Sequence, residues 1–168
     1  MNDTHKTILG IDPGFHIAGY GVVRKESCSV KLIDYGYLSM SPKKSLPERT
    51  GIFHEFFAQK IQHYAVTDLA LETPFLGRNA QNFLKLGYLR GILYFLVDRF
   101  SLNLHEFSPR QVKQAVTGFG GASKEQVSRA IQQLCLHAVT ASKYDVTDAL
   151  AVTLCALWSN QSLSERYA

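Results

Sequence analysis

The sequence predicts an α/β fold in which helices flank a five-stranded mixed sheet. Three short segments with alternating apolar residues open the chain, at 7–11, 18–25 and 29–40. Two further apolar segments, 68–72 and 102–107, each follow a helical pattern. Short connections between the first three strands favour an antiparallel meander. Strand–helix–strand crossovers place the fourth and fifth strands parallel to the first.

Helical patterns follow the third, fourth and fifth predicted strands. They cover the apolar positions between Ile52 and Ile61, residues 79–100, a segment that starts at Ser108-Pro109, residues 123–136 and residues 145–158. Serine followed by proline is typical of a helix start. The glycine-rich run "GFGGA" at 118–122 predicts a flexible break between two helices.

Length and composition indicate one globular domain over residues 1–168. No apolar run approaches the roughly 18 residues of a membrane span. The first residues, "MNDTHKT", lack the pattern of a signal peptide, so we expect a cytoplasmic protein with no membrane contact. Three widely spaced cysteines predict reduced, buried thiols, and six scattered histidines argue against a zinc site.

Positive charge is concentrated in the middle of the chain. Residues 78–143 hold nine Lys or Arg against three acids, although the whole chain has a net charge of only +4. A basic region of this kind indicates a polyanionic partner such as nucleic acid. A solvated basic surface without a partner explains the same charges.

Four carboxylates occupy the ends of otherwise apolar elements. Asp12 ends the first strand, Glu72 ends the fourth, and Asp145 and Asp148 lie three residues apart at the start of the last helix. Each has an ordinary structural explanation: a turn aspartate before Pro-Gly, an exposed strand end, and a helix cap with an acid that favours the helix dipole. Functional groups in α/β sheets, however, collect beyond the carboxyl ends of the strands.

Taken together, the four acids predict a metal site. Their mutual repulsion is costly unless cations bind between them. Oxygen ligands without His or Cys indicate Mg²⁺, with Mn²⁺ as a substitute. Two such ions about 4 Å apart activate a water molecule and stabilise the leaving oxygen of a phosphodiester. The sequence therefore predicts a metal-dependent nuclease.

The chain resembles the RuvC family of bacterial Holliday junction resolvases. Successive segments carry the resemblance from about residue 7 to residue 158: "GIDPGFHIAGYGVV", "ALETPF", "NAQNFLKLGYLRG", "SPRQVKQAVTGFG", "ASKEQV" and "DVTDALAV". The resemblance implies a ribonuclease H-like fold, a two-fold symmetric homodimer, and paired nicks that resolve four-way DNA junctions in recombination and repair. It places Asp12, Glu72, Asp145 and Asp148 as catalytic residues that hold two Mg²⁺ ions, and it implies the branch-migration proteins RuvA and RuvB as partners.

The same resemblance suggests residues that contact DNA. Lys113 and Lys124 match basic family positions near the active site, and Arg110 and Arg78 are weaker candidates. Phe75 aligns with the aromatic residue that these resolvases insert at the junction centre, although the preceding Thr73-Pro74 is atypical. A solvated charge is the alternative for any single basic residue, and burial at a dimer interface is the alternative for Phe75.

The helix at 79–100 is apolar almost all round, so one face packs on the sheet and a second needs cover. Burial within one subunit and a two-fold contact both provide that cover.

Three other functions are less consistent with the sequence. An actin-like or sugar-kinase ATPase needs two lobes, a nuclease for ribosomal RNA precursors lacks the later motifs, and a binding module does not need four acids.

Overall fold

In the described residues the backbone forms five strands and five helices. A computed structural model describes residues 6–26, 29–74, 80–134 and 144–159 of the chain. The strands are β1 (Lys6–Asp12), β2 (Ile17–Glu26), β3 (Ser29–Ser39), β4 (Asp68–Glu72) and β5 (Asn103–Phe107). The helices are α1 (Leu46–Tyr64), α2 (Ala80–Arg99), α3 (Pro109–Thr117), α4 (Lys124–Leu134) and α5 (Tyr144–Trp158). Each predicted element is present.

The strands form a single mixed sheet in the order β3-β2-β1-β4-β5. β1, β2 and β3 pair in antiparallel fashion, which confirms the predicted meander. β4 lies parallel to both β1 and β5, which confirms the two crossovers. Ile11 of β1 pairs with Leu71 of β4, so the following residues, Asp12 and Glu72, emerge side by side at one edge of the sheet.

The sheet separates two apolar cores. On one face, Phe53 and Phe57 of α1 and Leu89 and Leu93 of α2 are fully buried against β1 and β4. On the other face, α3, α4 and α5 pack together over the central strands. Their contacts there include Val112, Val116, Val127, Ile131 and Leu150. The sheet and α5 form the frame on which the acids are placed.

Glycines let α5 approach the backbone of β1 and β2. A Cβ atom on Gly19 would lie 1.9 Å from the carbonyl oxygen of Asp145, and one on Gly10 would lie 2.7 Å from the carbonyl oxygen of Ala149. Gly21 has no room for a Cβ either, because Leu150 would be 2.5 Å away. The helix therefore rests directly on the strands, and its first turn is fixed at the level of Gly19.

Hydrogen bonds fix the helix starts near the site. Ser108 caps α3: its hydroxyl accepts from the Gln111 N–H, and the Gln111 side chain accepts from the Ser108 N–H at 2.8 Å. This confirms the helix start predicted from Ser108-Pro109. The segment at 118–122 separates α3 from α4, as predicted, and forms hydrogen bonds with the Gln114 side chain; its flexibility stays a prediction.

Two other expectations concern the whole chain. Cys155 is a buried free thiol, as predicted, and burial raises its pKa to about 11. Cys28 and Cys135 lie outside the described residues. None of the helices within the described residues is both long enough and apolar enough to span a bilayer.

Candidate active site

Asp12 and Glu72 lie on the same edge and the same face of the sheet. Side chains alternate along a strand, so Asp12 shares a face with Gly10, and Glu72 shares a face with Ala70. Gly10 lies against α5, and Ala70 belongs to the core that α5 covers. Neighbouring strands are about 4.8 Å apart. Both carboxylates therefore project towards the side of the sheet that carries α5.

The first turn of α5 supplies the other two acids. Gly19 pairs with Asp12 across the sheet, and the backbone of Asp145 lies against Gly19. Asp148 follows one turn later on the same side of the helix, as the spacing of three residues dictates. The antiparallel β1–β2 pair thus brings Asp12 and Asp145 to the same level of the fold.

The electrostatics of Asp12 show how closely the acids are grouped. The pKa of Asp12 is raised from 3.8 to about 7, first by burial and then by the charges of Asp148, Asp145 and Glu72. Lys124 acts in the opposite direction. Such a large rise requires a poorly solvated carboxyl group with like charges nearby. All four predicted acids therefore belong to one electrostatic cluster.

Glu72 and Asp148 are also perturbed. Partial burial and the charge of Asp148 raise the pKa of Glu72, whereas Lys124 and Lys113 lower it. Burial also raises the pKa of Asp148, with a smaller contribution from Asp145, and Lys124 and Lys113 again oppose the shift. The two lysines predicted from the sequence thus face the cluster from α3 and α4.

Lys124 makes the closest contact with the acids. Its Nζ lies 3.4 Å from Oδ2 of Asp148, and the charge of Asp148 is the main reason why the pKa of Lys124 is raised. The lysine side chain is still 66% exposed, compared with 32% for Asp148. An exposed ammonium group beside partly exposed carboxylates is well placed to contact an incoming phosphate.

The chemistry of the cluster suits a hard divalent cation, but the side chains do not form a ready-made cage. The donors are carboxylate oxygens, which Mg²⁺ and Mn²⁺ prefer. Among the residues that the structure describes, no group of three His, Cys, Asp or Glu side chains converges closely enough to hold a metal ion. To share an ion, the carboxylates would have to come closer together.

Arg90 is a site residue that the sequence reasoning missed. It is only 5% exposed, and its guanidinium donates to the carbonyl oxygen of Glu72 at 2.6 Å. The same guanidinium forms an ion pair with Glu106 of β5 and donates to the Tyr94 hydroxyl at 2.9 Å. Arg90 thereby ties α2 to the ends of β4 and β5. The signal in the sequence was a single arginine within the apolar run "LGYLRGILYF".

The remaining predicted residues lie elsewhere. Arg110 is exposed on α3, and it is absent from the charges that shift the pKa values of Asp12, Glu72 and Asp148. Phe75 and Arg78 lie outside the described residues. The structure thus brings together the four acids, Lys113 and Lys124.

Comparison with known proteins identifies the family. The model of the family described as crossover junction endodeoxyribonuclease RuvC matches residues 8–156. The chain belongs to the RuvC family. A RuvC from Pelodictyon phaeoclathratiforme is 43% identical over 150 residues, which are 89% of this chain and 78% of that protein. A RuvC from Marinobacter nauticus is 40% identical over 156 residues, which are 93% of this chain and 88% of that protein.

Solved structures confirm the ribonuclease H-like fold predicted for this RuvC family member. Thermus thermophilus RuvC in complex with a Holliday junction substrate superposes with a TM-score of 0.84 at 27% identity, covering 92% of this chain and 94% of that chain. The yeast mitochondrial Holliday junction resolvase gives a TM-score of 0.62 at 15% identity, covering 89% and 77%. This second likeness concerns the fold alone.

Proposed function

We propose that this chain is a divalent-metal-dependent endonuclease that resolves four-way DNA junctions by paired, symmetric nicks. The observation that carries the proposal is the cluster of Asp12, Glu72, Asp145 and Asp148, in which like charges and burial raise the pKa of Asp12 to about 7. Membership of the RuvC family supports the reaction, and a related RuvC in complex with a Holliday junction substrate supports the choice of substrate.

The four carboxylates are the proposed ligands of two Mg²⁺ ions, for which Mn²⁺ is a substitute. When bound, such ions activate water and stabilise the leaving oxygen of a phosphodiester. Asp12 has a specific task in this scheme: its carboxyl group must give up the proton that its raised pKa retains at neutral pH. Asp145 and Asp148, one helical turn apart, present their oxygens from the opposite side of the site.

The two lysines orient the DNA strand at this site. Lys124 lies at the rim, where its exposed ammonium exchanges the Asp148 carboxylate for a phosphate oxygen. Lys113 is half-buried on α3 and acts on Glu72 and Asp148 from the side of β5. Phosphate contacts of this kind hold the strand in register without reading its sequence.

Removal of one carboxylate tests the metal site. We expect Asp148→Asn to bind a synthetic four-way junction with wild-type affinity but to nick it at least about a hundredfold more slowly with Mg²⁺, because lost metal ligation costs several kcal/mol in the transition state. Asp98→Asn is the matched control, since Asp98 is exposed near the end of α2. Gel shift and nicking assays on a labelled junction measure both effects. Undiminished nicking by Asp148→Asn contradicts the assignment.

The α2 face supports the proposed homodimer. Leu84, Tyr88 and Phe95 of α2 are 57%, 43% and 54% exposed, so burial within one subunit does not cover this face. A groove of about 650 Å³ runs between α1 and α2 beside Gly87 and Gly91. Large exposed apolar patches mark interaction sites. A two-fold contact here would set two active sites to cut two strands.

Sedimentation equilibrium tests the dimer. We expect wild-type protein to be dimeric at micromolar concentration and Phe95→Asp to shift towards the monomer, because a charge at the centre of an apolar interface is desolvated without a partner. Val30→Asp is the matched control, since Val30 is 52% exposed on the edge strand β3. A monomeric wild-type protein with a junction bound contradicts the proposal.

Several family expectations stay predictions. They comprise the insertion of Phe75 at the junction centre, the contact of Arg78 with DNA, the partnership with RuvA and RuvB, the cytoplasmic location, and a single nuclease domain over residues 1–168.

A further inference from the structure

The connection between α3 and α4 presents an exposed aromatic side chain beside an arginine. Phe119 is 64% exposed, the highest value among the exposed large apolar side chains of the described residues. Arg110, one of the weaker DNA-binding candidates, is exposed on α3 and lies against the same connection. We call the surface formed by Arg110, Gln114 and Phe119–Gly121 the α3–α4 platform.

The platform is held by its own hydrogen bonds. The amide group of Gln114 is used at both ends, because its Nε2 donates to the Gly118 carbonyl at 2.6 Å and its Oε1 accepts from the Gly120 N–H at 2.9 Å. The Thr117 hydroxyl accepts from the Phe119 N–H at 3.1 Å. A turn closes the segment, since the Ala122 N–H donates to the Phe119 carbonyl at 3.1 Å. The Phe119 backbone is therefore held by hydrogen bonds within the connection itself.

Two glycines of the connection make room for the side chains of Arg110 and Phe119. The Phe119 ring rests directly on Gly121, where a Cβ atom would lie 2.7 Å from the ring. A Cβ atom on Gly120 would lie 2.7 Å from Cγ of Arg110. Arg110 and Phe119 consequently pack on neighbouring glycines of one turn. An apolar ring and a guanidinium group thus share one small surface.

Positive charge predominates around the platform. Residues 108–125 contain Arg110, Lys113 and Lys124 against one acid, Glu125, whose carboxylate accepts from the Ser123 hydroxyl at 2.7 Å. Two of these, Lys113 and Lys124, act electrostatically on Glu72 and Asp148, as described for the active site. The platform therefore lies next to the two lysines that act on the active site, and Arg110 extends their positive charge away from the carboxylates.

We propose that the α3–α4 platform binds a DNA strand of the junction next to the phosphate that is cut. Phe119 stacks on a base or packs against a deoxyribose, and Arg110 pairs with a phosphate of the same strand. This inference rests on the proposed function. Stacking on an aromatic side chain tolerates any base, and phosphate contacts ignore sequence, so the platform suits junctions of varied sequence. A surface on which cations outnumber acids favours DNA over a protein partner.

The test measures junction binding in the Asp148→Asn background, in which we expect no cleavage. We expect Phe119→Ala to weaken binding about tenfold, because replacing an aromatic side chain that stacks on a base with alanine has an effect of that order. Phe119→Trp should restore the affinity for the junction.

We expect Arg110→Gln to weaken binding and to reduce the slope of log K against log salt by about one. Trp158→Ala is the matched control, since Trp158 is 47% exposed at the far end of α5.

A spectroscopic probe locates the contact. With 2-aminopurine placed at successive positions beside the cut site, we expect wild-type Phe119 to change the fluorescence at one position and Phe119→Ala to remove that change. Thermal unfolding checks that each variant is folded.

The two proposals fail in different ways. If wild-type protein nicks the junction but Phe119→Ala and Arg110→Gln bind it like Trp158→Ala, the platform does not bind DNA and the inference is overturned. That result is also the one expected of a platform that binds a protein. If wild-type protein neither binds nor nicks a junction, the proposed function itself fails.

Discussion

The two ends of β4 carry acids in opposite circumstances. At the amino end, Asp68 is 3% exposed and fully partnered: His105 lies 2.6 Å from Oδ1, the Thr67 hydroxyl donates to Oδ2 at 2.6 Å, and Lys6 lies 3.3 Å away. At the carboxyl end, Glu72 lies near the charges of Asp12 and Asp148, and the charges of Lys124 and Lys113 oppose theirs. The five-residue strand β4 thus separates a carboxylate with hydrogen-bonding partners, Asp68, from a group of carboxylates that repel one another.

The pKa values record this difference. Burial alone would raise the pKa of Asp68, but hydrogen bonds from His105 and Thr67 and the charge of Lys6 lower it. Burial and the charges of Asp148, Asp145 and Glu72 raise the pKa of Asp12 to about 7, and the charge of Lys124 opposes them. A carboxylate that serves the fold is surrounded by donors, whereas one that awaits a ligand keeps its acceptor atoms available. This contrast supports the proposal that the carboxyl end of β4 is the functional end.

The largest expected effect is a difference in stability between the two ends. We expect Asp68→Asn to lower the free energy of unfolding by about 3 kcal/mol, because it breaks a buried, hydrogen-bonded pair. Asp12→Asn should cause no loss, since it removes a charge that its neighbours repel. Urea denaturation of the metal-free proteins at pH 7 measures both. Equal losses for the two variants would show that the two ends do not differ in this way.

The pH dependence sharpens the same comparison. Folded Asp12 holds its proton up to about pH 7, whereas the unfolded chain releases it near 3.8. The free energy of unfolding of metal-free protein therefore falls as pH rises between these values and levels off above pH 7. Asp68 has the opposite sign: its contribution is present above its unfolded pKa of 3.8 and is lost as pH falls through its lower folded pKa.

Comparison of wild-type protein with Asp12→Asn isolates the first effect. We expect the wild type to lose about 2 kcal/mol more than the variant between pH 5 and pH 7, since each unit of pKa difference corresponds to about 1.4 kcal/mol and partial exposure reduces the effect. Urea denaturation at each pH provides the measurement. Parallel pH profiles for the two proteins are the contrary result.

Much of this arrangement could be predicted from the sequence. Strand periodicity and the Pro-Gly after Asp12 predict the strand ends, and parallel pairing then places Asp12 and Glu72 at one edge. The approach of α5 could not be predicted, because it depends on which strand glycines face the helix. Gly10 and Gly19 do so, and the sequence motif does not distinguish them from glycines of a turn.

Arg90 escaped prediction for a related reason. Its partners, the Glu72 carbonyl and Glu106, belong to β4 and β5, the strands before and after α2, and the sequence does not show that the helix turns Arg90 towards them. A lone arginine in an apolar helix signals a buried partner but does not identify one. The hydrogen bonds of the turn at 118–122 could not be predicted either, because glycine content indicates freedom and the Gln114 side chain that bonds to the turn lies four residues upstream.

The smallest expected effect concerns Arg90 as a positioning residue for Glu72. Arg90→Lys keeps the charge but cannot donate to the Glu72 carbonyl, Glu106 and Tyr94 with the fixed geometry of a guanidinium group. We expect about tenfold slower nicking, equivalent to about 1.4 kcal/mol, with junction affinity unchanged. A misplaced Glu72 should also raise the Mg²⁺ concentration needed for half-maximal nicking, a shift that a general loss of stability does not produce. Arg99→Lys, on the exposed last turn of α2, is the control. Wild-type Mg²⁺ dependence in Arg90→Lys would show that the carboxyl end of β4 holds Glu72 in place without help from α2.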